Sequence, residues 1–373
     1  MIYFDNAATS LYKPNSVKLM VEKAVNELTA NPGRSGHFLS VKTGEMVFET
    51  REVVKQFLHA PNHQVVFTKN CTEALNLALF GLLNAGDNVI TSCFEHNSVL
   101  RPLERLKNHG VDVTILQCEL ADFHTNLVTQ IKPNTKLVVV TGMSNVTGQS
   151  PNLYEIGTIC KKHNILLLVD GAQSSGHIDI DLENINIDLY AFAGHKGFCA
   201  ITGVGGLLIK NGVILKPLLC GGTGTESENL IQPNDVPEGL EAGTLPTIPI
   251  ASLKAGVEFL LANFKAIKEK ESALSNYLYK KLSGLDLIEL YSTADSKNVF
   301  SFNIRNMDSM LVADILNQKY KICVRAGLHC APLIHKKLGS LQTGAVRVSI
   351  DFNNTFQQVD KLIYALKEIA NDR

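Results

Sequence analysis

Short apolar segments alternate with helical patterns along the first two thirds of the chain. The segments that predict strands are 64–68, 88–92, 111–117, 136–141, 165–169, 188–192 and 205–209. Their apolar character is nearly continuous, as in Lys136-Leu137-Val138-Val139-Val140, which is typical of strands buried on both faces. The alternation therefore predicts an α/β fold with a seven-stranded, mainly parallel sheet covered by helices.

The pattern changes beyond residue 250. A helical pattern from about Ala251 to Leu282 predicts a long helix that crosses into a second region, and a Thr355-x-x-Gln358 capping box predicts the start of the last helix. The strands predicted between them are 298–304, 321–325 and 345–350. We expect a large domain over residues 15–250 and a smaller α+β domain made of residues 1–14 and 251–373.

Composition and charge narrow the class of protein. The 373 residues are 45% hydrophobic and 19% charged, with 35 basic against 36 acidic side chains, so neither nucleic acid nor an anionic membrane is an expected partner. The N-terminus lacks a signal-peptide pattern, and no apolar run approaches the roughly 18 residues of a membrane span, which favours a cytoplasmic protein. The eight cysteines form no Cys-x-x-Cys pair, so neither a metal site nor a disulfide framework is expected.

Two polar residues follow neighbouring predicted strands. Asp170 ends the apolar run 165–169, and Lys196 follows the run 188–192. In open α/β sheets ligands bind at the carboxyl ends of the strands. Pyridoxal phosphate needs a lysine amine that holds it as a Schiff base and a carboxylate that keeps its ring nitrogen protonated. This pair therefore indicates pyridoxal phosphate as the cofactor.

Three further strand ends offer chemistry that suits the same cofactor. Thr72 lies in the first turn of a predicted helix, where free N–H groups and the positive dipole end favour a phosphate. His96 follows the strand 88–92 and offers an imidazole that can stack on an aromatic ring. Asn145 follows the strand 136–141 and offers an amide to a ring hydroxyl.

These residues belong to motifs that resemble a known family. The chain resembles the fold-type I pyridoxal-phosphate enzymes of the class V aminotransferase group and, within it, the group II cysteine desulfurases, which include selenocysteine lyases. The resemblance extends from Tyr3-Phe4-Asp5-Asn6-Ala7-Ala8 to Arg347-Val348-Ser349. Its motifs are Cys71-Thr72-Glu73-Ala74, Glu95-His96, Ser144-Asn145-Val146, Asp170-Gly171-Ala172-Gln173, Gly194-His195-Lys196, Glu241-Ala242-Gly243-Thr244 and Arg325-Ala326-Gly327-Leu328-His329-Cys330.

The resemblance implies a set of roles around the cofactor. Lys196 would bind it covalently, Asp170 would pair with the ring nitrogen and His96 would stack on the ring. Gln173 and Asn145 would lie near the ring oxygen. The phosphate ligands implied are the Cys71 backbone N–H, Thr72, His195 and, from the second subunit of a homodimer, Thr244.

The resemblance also implies a substrate site and a reaction. Arg347 would bind the substrate carboxylate, with Ala8 and Asn145 beside it. Cys330 would attack the substrate sulfur as a thiolate, and Arg325 and His329 are candidates for the cations that favour that thiolate. The implied reaction converts L-cysteine to L-alanine and leaves a persulfide on Cys330.

Other functions stay open at this point. A selenocysteine lyase acting on L-selenocysteine, an aminotransferase and a carbon–sulfur lyase share the same fold and cofactor. A cofactor-bearing scaffold without activity is disfavoured because the lysine, the aspartate and the cysteine are all present. The sulfur would pass to an acceptor protein of iron–sulfur cluster assembly, of thiolation or of selenium metabolism.

A few positions depart from the family pattern or lack a firm role. Ala193 stands where many relatives have a serine or threonine, so phosphate binding is expected to depend on Thr72, His195 and Thr244. Arg34, His37 and His177 are read as residues at the edge of the site or as structural residues.

Overall fold

The computed structural model describes residues 1–33 and 36–371, so Arg34 lies outside the described residues. The strands are β1 (Ile2–Tyr3), β2 (His63–Thr68), β3 (Asn88–Ser92), β4 (Asp112–Leu116), β5 (Thr135–Thr141), β6 (Leu166–Asp170), β7 (Leu189–Ala193), β8 (Gly205–Lys210), β9 (Ile288–Leu290), β10 (Val299–Ile304), β11 (Ile322–Cys323), β12 (Arg325–Gly327) and β13 (Ala345–Ser349). The α-helices are α1 (Asn15–Glu27), α2 (Phe38–Phe57), α3 (Cys71–Leu82), α4 (Asn97–Lys107), α5 (Phe123–Gln130), α6 (Leu153–Lys162), α7 (Leu182–Ile185), α8 (Thr247–Ser283), α9 (Ser309–Tyr320), α10 (Pro332–Lys337) and α11 (Phe356–Asn371).

The large sheet has the strand order β2-β8-β7-β6-β5-β3-β4. Its strands are parallel except β8, which runs antiparallel to both of its neighbours. The predicted seven-stranded, mainly parallel sheet is therefore confirmed, and each predicted strand ends within one residue of the observed bounds. The register pairs Asp170 with Thr141 on one side and with Ala191 on the other, so the carboxyl ends of β5, β6 and β7 lie side by side.

Both faces of this sheet are buried. Along β5, Val138 and Val140 belong to one hydrophobic cluster, whereas Leu137 and Val139 belong to the cluster on the opposite face. All four side chains are fully buried. Burying a side chain of this size stabilises the fold by about 1.5–3 kcal/mol. This two-sided burial explains why the strands are continuously apolar.

Helix α8 connects the large sheet to the smaller one. Its N-terminal half packs Val257 and Leu260 into the core of the large sheet, and its C-terminal half packs Leu274 and Leu278 into the core of the small sheet. It begins at Thr247, four residues before the predicted start. Proline is tolerated in the first turn of a helix, so Pro249 does not delay the start.

The small sheet is antiparallel, with the strand order β12-β13-β10-β9. The predicted strand 321–325 is in fact divided: β11 pairs with the N-terminal strand β1, and β12 pairs with β13. Strand β9 was not predicted, because three residues with one buried side chain carry no periodicity. The domain boundaries stay a prediction.

The end of the chain agrees with its capping signal. The Thr355 hydroxyl accepts a hydrogen bond from the Gln358 N–H at 3.3 Å, and the Gln358 carboxamide oxygen accepts one from the Thr355 N–H at 3.2 Å. The predicted capping box at the start of α11 is therefore confirmed. Among the described residues no helix is both long enough and apolar enough to cross a membrane.

Candidate functional site

Asp170 ends the central strand β6, and its carboxylate is buried. Its Oδ1 accepts hydrogen bonds from the Ala172 N–H at 3.0 Å and from the Cys71 thiol, with Sγ at 3.5 Å. Its Oδ2 accepts no hydrogen bond from the described residues, although the side chain lines a cavity. One carboxylate oxygen is therefore fixed by the protein and the other is available to a ligand.

Lys196 follows strand β7 and lines the same cavity. Burial lowers the pKa of its amine below the usual value, and the opposing charge of Asp170 offsets part of that shift. No hydrogen bond joins its amine to the described residues. Lys196 thus has the lowered pKa that a carbonyl-binding amine requires. Residue 197, next to Lys196, must be glycine, because a Cβ on Gly197 would overlap the Ser175 carbonyl and contact the His177 ring.

The N-terminus of α3 faces this cavity. The Asn70 side chain accepts a hydrogen bond from the Glu73 N–H at 3.0 Å, and Glu73 accepts one from the Lys69 N–H at 2.7 Å. This cap leaves the N–H groups of Cys71 and Thr72 without an intrahelical acceptor. The positive end of the helix dipole adds to their attraction for an anion.

His96 is the N-cap of α4, and its ring lines the cavity. Its Nδ1 accepts a hydrogen bond from the Ser98 N–H at 3.0 Å and contacts the Ser98 hydroxyl at 2.9 Å. That hydroxyl lies 2.7 Å from the Thr72 Oγ1. Burial is the main cause of a lowered His96 pKa of about 4; the charge of Asp170 opposes the shift and the charge of Lys196 adds to it. The imidazole is therefore neutral, with its proton on Nε2.

His195 is held by the N-terminal segment of the chain. Its Nδ1 lies 3.0 Å from the Thr9 hydroxyl, and its carbonyl accepts a hydrogen bond from the Ser10 N–H at 3.1 Å. Burial lowers the pKa of this imidazole to about 4, and the charges of Lys196 and Lys13 act in the same direction. His195 is therefore a neutral hydrogen-bonding group at the predicted phosphate site.

These side chains line one cavity that opens to solvent. The sequence-predicted residues that line it are Cys71, Thr72, His96, Asn145, Asp170, Gln173, His195 and Lys196. The Gln173 amide donates a hydrogen bond to the Ala7 carbonyl at 2.9 Å, which places the N-terminal Ala7 beside these strand ends.

The donor set fits pyridoxal phosphate. A cavity amine with a lowered pKa, a buried carboxylate with one free oxygen and a helix N-terminus with two free N–H groups correspond to the aldehyde, ring nitrogen and phosphate of that cofactor. Ala193 also lines the cavity and contributes no hydroxyl. Thr244 is exposed and is absent from the residues that line this cavity in the described chain.

Cys330 lies in a short loop after β12. His329 and Cys330 have φ angles of 49° and 57°, a left-handed conformation that is unfavourable for residues with a Cβ. The Cys330 carbonyl accepts a hydrogen bond from the Asn97 N–H at 2.6 Å, and the His329 carbonyl accepts one from the Asn145 side chain at 2.7 Å. These two hydrogen bonds hold the backbone of the exposed Cys330 next to the cavity, since Asn145 lines the cavity and Asn97 follows His96.

The structure assigns the two predicted cations near Cys330 differently. The Arg325 guanidinium Nη2 lies 3.8 Å from the Cys330 Sγ, as a hydrogen-bond donor. The prediction that His329 is a cation is wrong. Its ring is buried, and its Nε2 lies 3.1 Å from the Ala345 carbonyl. Burial, followed by the charge of Arg347, lowers the pKa of His329 to about 2. His329 is therefore neutral and anchors the loop.

Arg347 is buried on β13. Its Nη1 donates to the Asn145 carbonyl at 3.1 Å, and its Nη2 donates to the Asp5 carboxylate at 2.9 Å. Its Nε has no partner among the described residues. Ala8 lies in the adjoining turn, where its N–H donates to the Asp5 carbonyl at 3.0 Å. Asn145 thus contacts both Arg347 and the His329 carbonyl next to Cys330.

Comparison with known proteins identifies the family. Residues 2–362 match the aminotransferase class-V family. The chain belongs to the aminotransferase class-V family. A probable cysteine desulfurase of Methanothermobacter thermautotrophicus is 36% identical, over 99% of this chain and 94% of that protein. A cysteine desulfurase of Haloferax volcanii is 31% identical, over 98% of this chain and 88% of that protein.

Solved structures of cysteine desulfurases superpose on nearly the whole chain. The apo cysteine desulfurase of Thermococcus onnurineus NA1 has a TM-score of 0.92 at 31% identity and covers 100% of this chain and 95% of its own. A cysteine desulfurase of Escherichia coli has a TM-score of 0.87 at 28% identity, over 99% and 94%. The predicted resemblance and the predicted fold class are confirmed.

Several residues of this class-V site escaped sequence reasoning. The Ser98 hydroxyl contacts both the Thr72 hydroxyl and the His96 ring. Its position two residues after His96 is the only feature of the sequence that could have indicated this role. Asp5 pairs with Arg347, although the motif Tyr3-Phe4-Asp5-Asn6 gave no indication of that partner. Glu95 is fully buried beside the end of β5, where it accepts a hydrogen bond from the Thr141 N–H, and its Oε2 has no hydrogen-bond partner among the described residues.

Proposed function

We propose that this chain is a pyridoxal-phosphate-dependent cysteine desulfurase that converts L-cysteine to L-alanine and retains the sulfur as a persulfide on Cys330. Family membership and the full-length relatives support this function. The observation that carries the proposal is the joint placement of an exposed thiol and a lysine–aspartate cavity. Asn145 lines that cavity and donates a hydrogen bond to the carbonyl of His329, the neighbour of Cys330.

The cofactor would be held by the residues of the cavity. Lys196 would bind it, Asp170 Oδ2 would accept the hydrogen bond of its ring nitrogen, and the N–H groups of Cys71 and Thr72 would receive its phosphate. The neutral His96 ring would stack on it, and Gln173 and His195 would add hydrogen bonds. When bound, pyridoxal phosphate supplies an electron sink for the pair released at the substrate Cα.

The chain's own groups perform the remaining tasks. Lys196, with its lowered pKa, would take the proton from the substrate Cα and return it. Arg347 would bind the substrate carboxylate. Its unpartnered Nε and its fixed guanidinium plane favour a planar, charge-assisted contact.

The sulfur step belongs to Cys330. Its thiolate would attack the substrate Sγ, so that a new S–S bond forms while the Cβ–Sγ bond breaks. The bonding pair remains on Cβ, which takes up a proton to give the methyl group of alanine. Arg325 would stabilise the thiolate from 3.8 Å. An acceptor protein or a thiol reductant would then remove the outer sulfur.

The proposal includes a homodimer in which each subunit supplies Thr244 to the phosphate site of the other. The exposed position of Thr244 supports this arrangement. Sedimentation should give twice the chain mass, and Thr244→Ala should weaken cofactor binding without changing that mass. A monomeric protein with full cofactor affinity would contradict this part of the proposal.

The decisive experiment is product analysis of the cofactor-loaded protein with L-cysteine and a thiol reductant. We expect L-alanine and sulfide in equal amounts. The variant Cys330→Ala should retain the cofactor absorbance near the visible edge and lose L-alanine formation by about a hundredfold or more, since the nucleophile is missing. Cys118→Ala, which alters a partly exposed cysteine elsewhere, is the matched control.

Other products would point to the alternative enzymes. Pyruvate and ammonia would identify a carbon–sulfur lyase, and a keto acid with amino-group transfer would identify an aminotransferase. Turnover of L-selenocysteine that survives Cys330→Ala, without turnover of L-cysteine, would identify a selenocysteine lyase, because selenium leaves more readily than sulfur. Any of these results would replace the proposed reaction.

A further inference from the structure

The thiol of Cys71 contacts the carboxylate that is proposed to hold the cofactor ring. Its Sγ lies 3.5 Å from Asp170 Oδ1, within hydrogen-bonding distance for sulfur. Cys71 is the first residue of α3, and both residues are buried and line the cavity. The family resemblance assigned only a backbone role to Cys71. The side-chain contact with Asp170 therefore adds a function that the motif does not contain.

The direction of this hydrogen bond follows from charge. Burial raises the pKa of the Cys71 thiol well above its ordinary value, and the negative charge of Asp170 raises it further. The thiol is therefore protonated and donates, while the carboxylate oxygen accepts. Together with the Ala172 N–H at 3.0 Å, Oδ1 has two donors, whereas Oδ2 has none among the described residues.

We propose that Cys71 is a positioning residue. The hydrogen bond from its thiol to Asp170 Oδ1 orients the carboxylate with Oδ2 toward the cofactor ring nitrogen and withdraws part of the negative charge of Asp170. This inference rests on the cofactor of the proposed function, but not on the sulfur chemistry. The bond acts through Asp170, so it alters the electrostatic field at the ring without contact between the thiol and the substrate.

The surroundings of Cys71 argue against a purely apolar role. Most buried cysteines behave as small hydrophobic residues. Cys160 is such a case, since it is 1% exposed within the core and its thiol donates no hydrogen bond within the described part of the chain. Cys71 instead directs its thiol at Asp170, the one carboxylate among the described residues that line the cavity. A loss of the thiol at the two positions should therefore have different consequences.

The test compares Cys71→Ala and Cys71→Val, which remove the donor, with Cys71→Ser, which keeps a donor. The readout is the pH midpoint of the absorbance change of the cofactor bound at Lys196. Without the donor, Asp170 presents more negative charge, which favours protonated forms nearby. We expect the midpoint to rise by about 0.5 pH unit in the alanine and valine variants, as for a weak hydrogen bond.

The serine variant and a control complete the comparison. Cys71→Ser should recover at least half of the shift, and Cys160→Ala should leave the midpoint unchanged. Valine fills the space that alanine leaves empty at residue 71, so a failure of the alanine variant to fold does not remove the donor-free arm. The rate of cofactor release, measured after dilution into a competing amine, should increase several-fold in the donor-free variants alone.

The outcomes separate this inference from the proposed function. Equal midpoints in the wild type, Cys71→Val and Cys71→Ser would overturn the inference and leave the desulfurase proposal intact. If the pH midpoint shifts as expected in the donor-free variants but the wild type forms no L-alanine from L-cysteine, the desulfurase proposal alone would be overturned. A wild-type protein that shows no cofactor absorbance would overturn both.

Discussion

Two regions of the site are held in place by different means. The strand-end group, made of Cys71, Asp170 and Lys196, is positioned by the parallel register of β6 and β7 and by the start of α3. The cysteine loop, residues 327–330, contains three positive φ angles and is positioned by separate hydrogen bonds. The first arrangement follows from regular structure, whereas the second depends on a few individual contacts.

The difference has an energetic side. Each left-handed residue that carries a Cβ costs about 1 kcal/mol or more, so His329 and Cys330 must be held by their surroundings. Asn97, Asn145 and the Ala345 carbonyl supply the contacts that offset this cost. Removing one contact should therefore disturb the cysteine loop far more than the strand-end group.

The largest expected effect concerns the strand-end group. Lys196→Ala should abolish the cofactor absorbance near the visible edge and lower L-alanine formation by about a thousandfold or more, because both the anchor and the base are lost. Absorbance and product assays measure the two effects. Lys210→Ala, which removes a partly exposed lysine paired with Asp188, should change neither. A Lys196→Ala protein with wild-type absorbance would contradict the assignment.

The next prediction concerns the connection between the two ends of the chain. Asp5→Asn removes the negative charge that faces the Arg347 Nη2, and a charge-assisted hydrogen bond of this kind contributes about 1.5–3 kcal/mol. If Arg347 binds the substrate carboxylate, its loss of orientation should raise the KM for L-cysteine roughly tenfold with a smaller change in kcat. Steady-state kinetics measure both constants.

The control for that prediction is Asp112→Asn, which breaks a solvent-exposed pair with Lys132. Exposed pairs of this kind contribute little, so the control should match the wild type. An unchanged KM in Asp5→Asn, at unchanged fold, would show that Arg347 needs no fixed orientation or binds another group.

The same contrast explains how much the sequence predicted. The buried strands were visible because Val138, Val140 and their neighbours are apolar on both faces, and strand ends then indicated Asp170 and Lys196. The pairing of Asp5 with Arg347 joins residues 342 positions apart and leaves no local pattern. Nothing in the residue types of His329 and Cys330 marks a left-handed backbone. The cationic role expected for His329 failed because burial cannot be read from the motif.

The third prediction tests the contact that links the two regions. Asn145→Ala removes the hydrogen bond to the His329 carbonyl, and a loss of about 1.4 kcal/mol corresponds to tenfold in an opening equilibrium. Amide hydrogen exchange across residues 327–331 should therefore become about tenfold faster, while exchange within β6 stays at the wild-type rate. Mass spectrometry of the exchanged peptides measures both.

Asn263→Ala is the control for this measurement, because its exposed side chain donates to the Phe259 carbonyl within α8 and to no other described residue. It should leave exchange in the cysteine loop unchanged. Equal acceleration of the cysteine loop and of β6 in Asn145→Ala would contradict the difference between the two regions, since it would mean that both open together.

The smallest expected effect concerns Glu95, which accepts a hydrogen bond from the last residue of β5. Its Oε1 accepts a hydrogen bond from the Thr141 N–H at 3.1 Å and another from the Ser92 hydroxyl, while its Oε2 is buried without a partner among the described residues. Burial raises the pKa of this carboxyl from its ordinary value of 4.5 to about 8. The folded protein therefore retains a proton that the unfolded chain releases.

The sign of the pH dependence follows from that difference. The contribution of Glu95 to stability is fully present below pH 4.5 and is lost as the pH rises toward about 8. Glu95→Gln stays neutral and keeps the acceptor, so its melting temperature should fall less than that of the wild type between pH 5 and 8, by about a few degrees. Thermal unfolding of the two proteins across this range measures the difference.

The control is Glu155→Gln, at an exposed position, whose melting temperature should change with pH as that of the wild type does. Parallel curves for wild type and Glu95→Gln would mean that Glu95 is ionised in the folded protein, and the strand-end group would then lie beside a second buried negative charge.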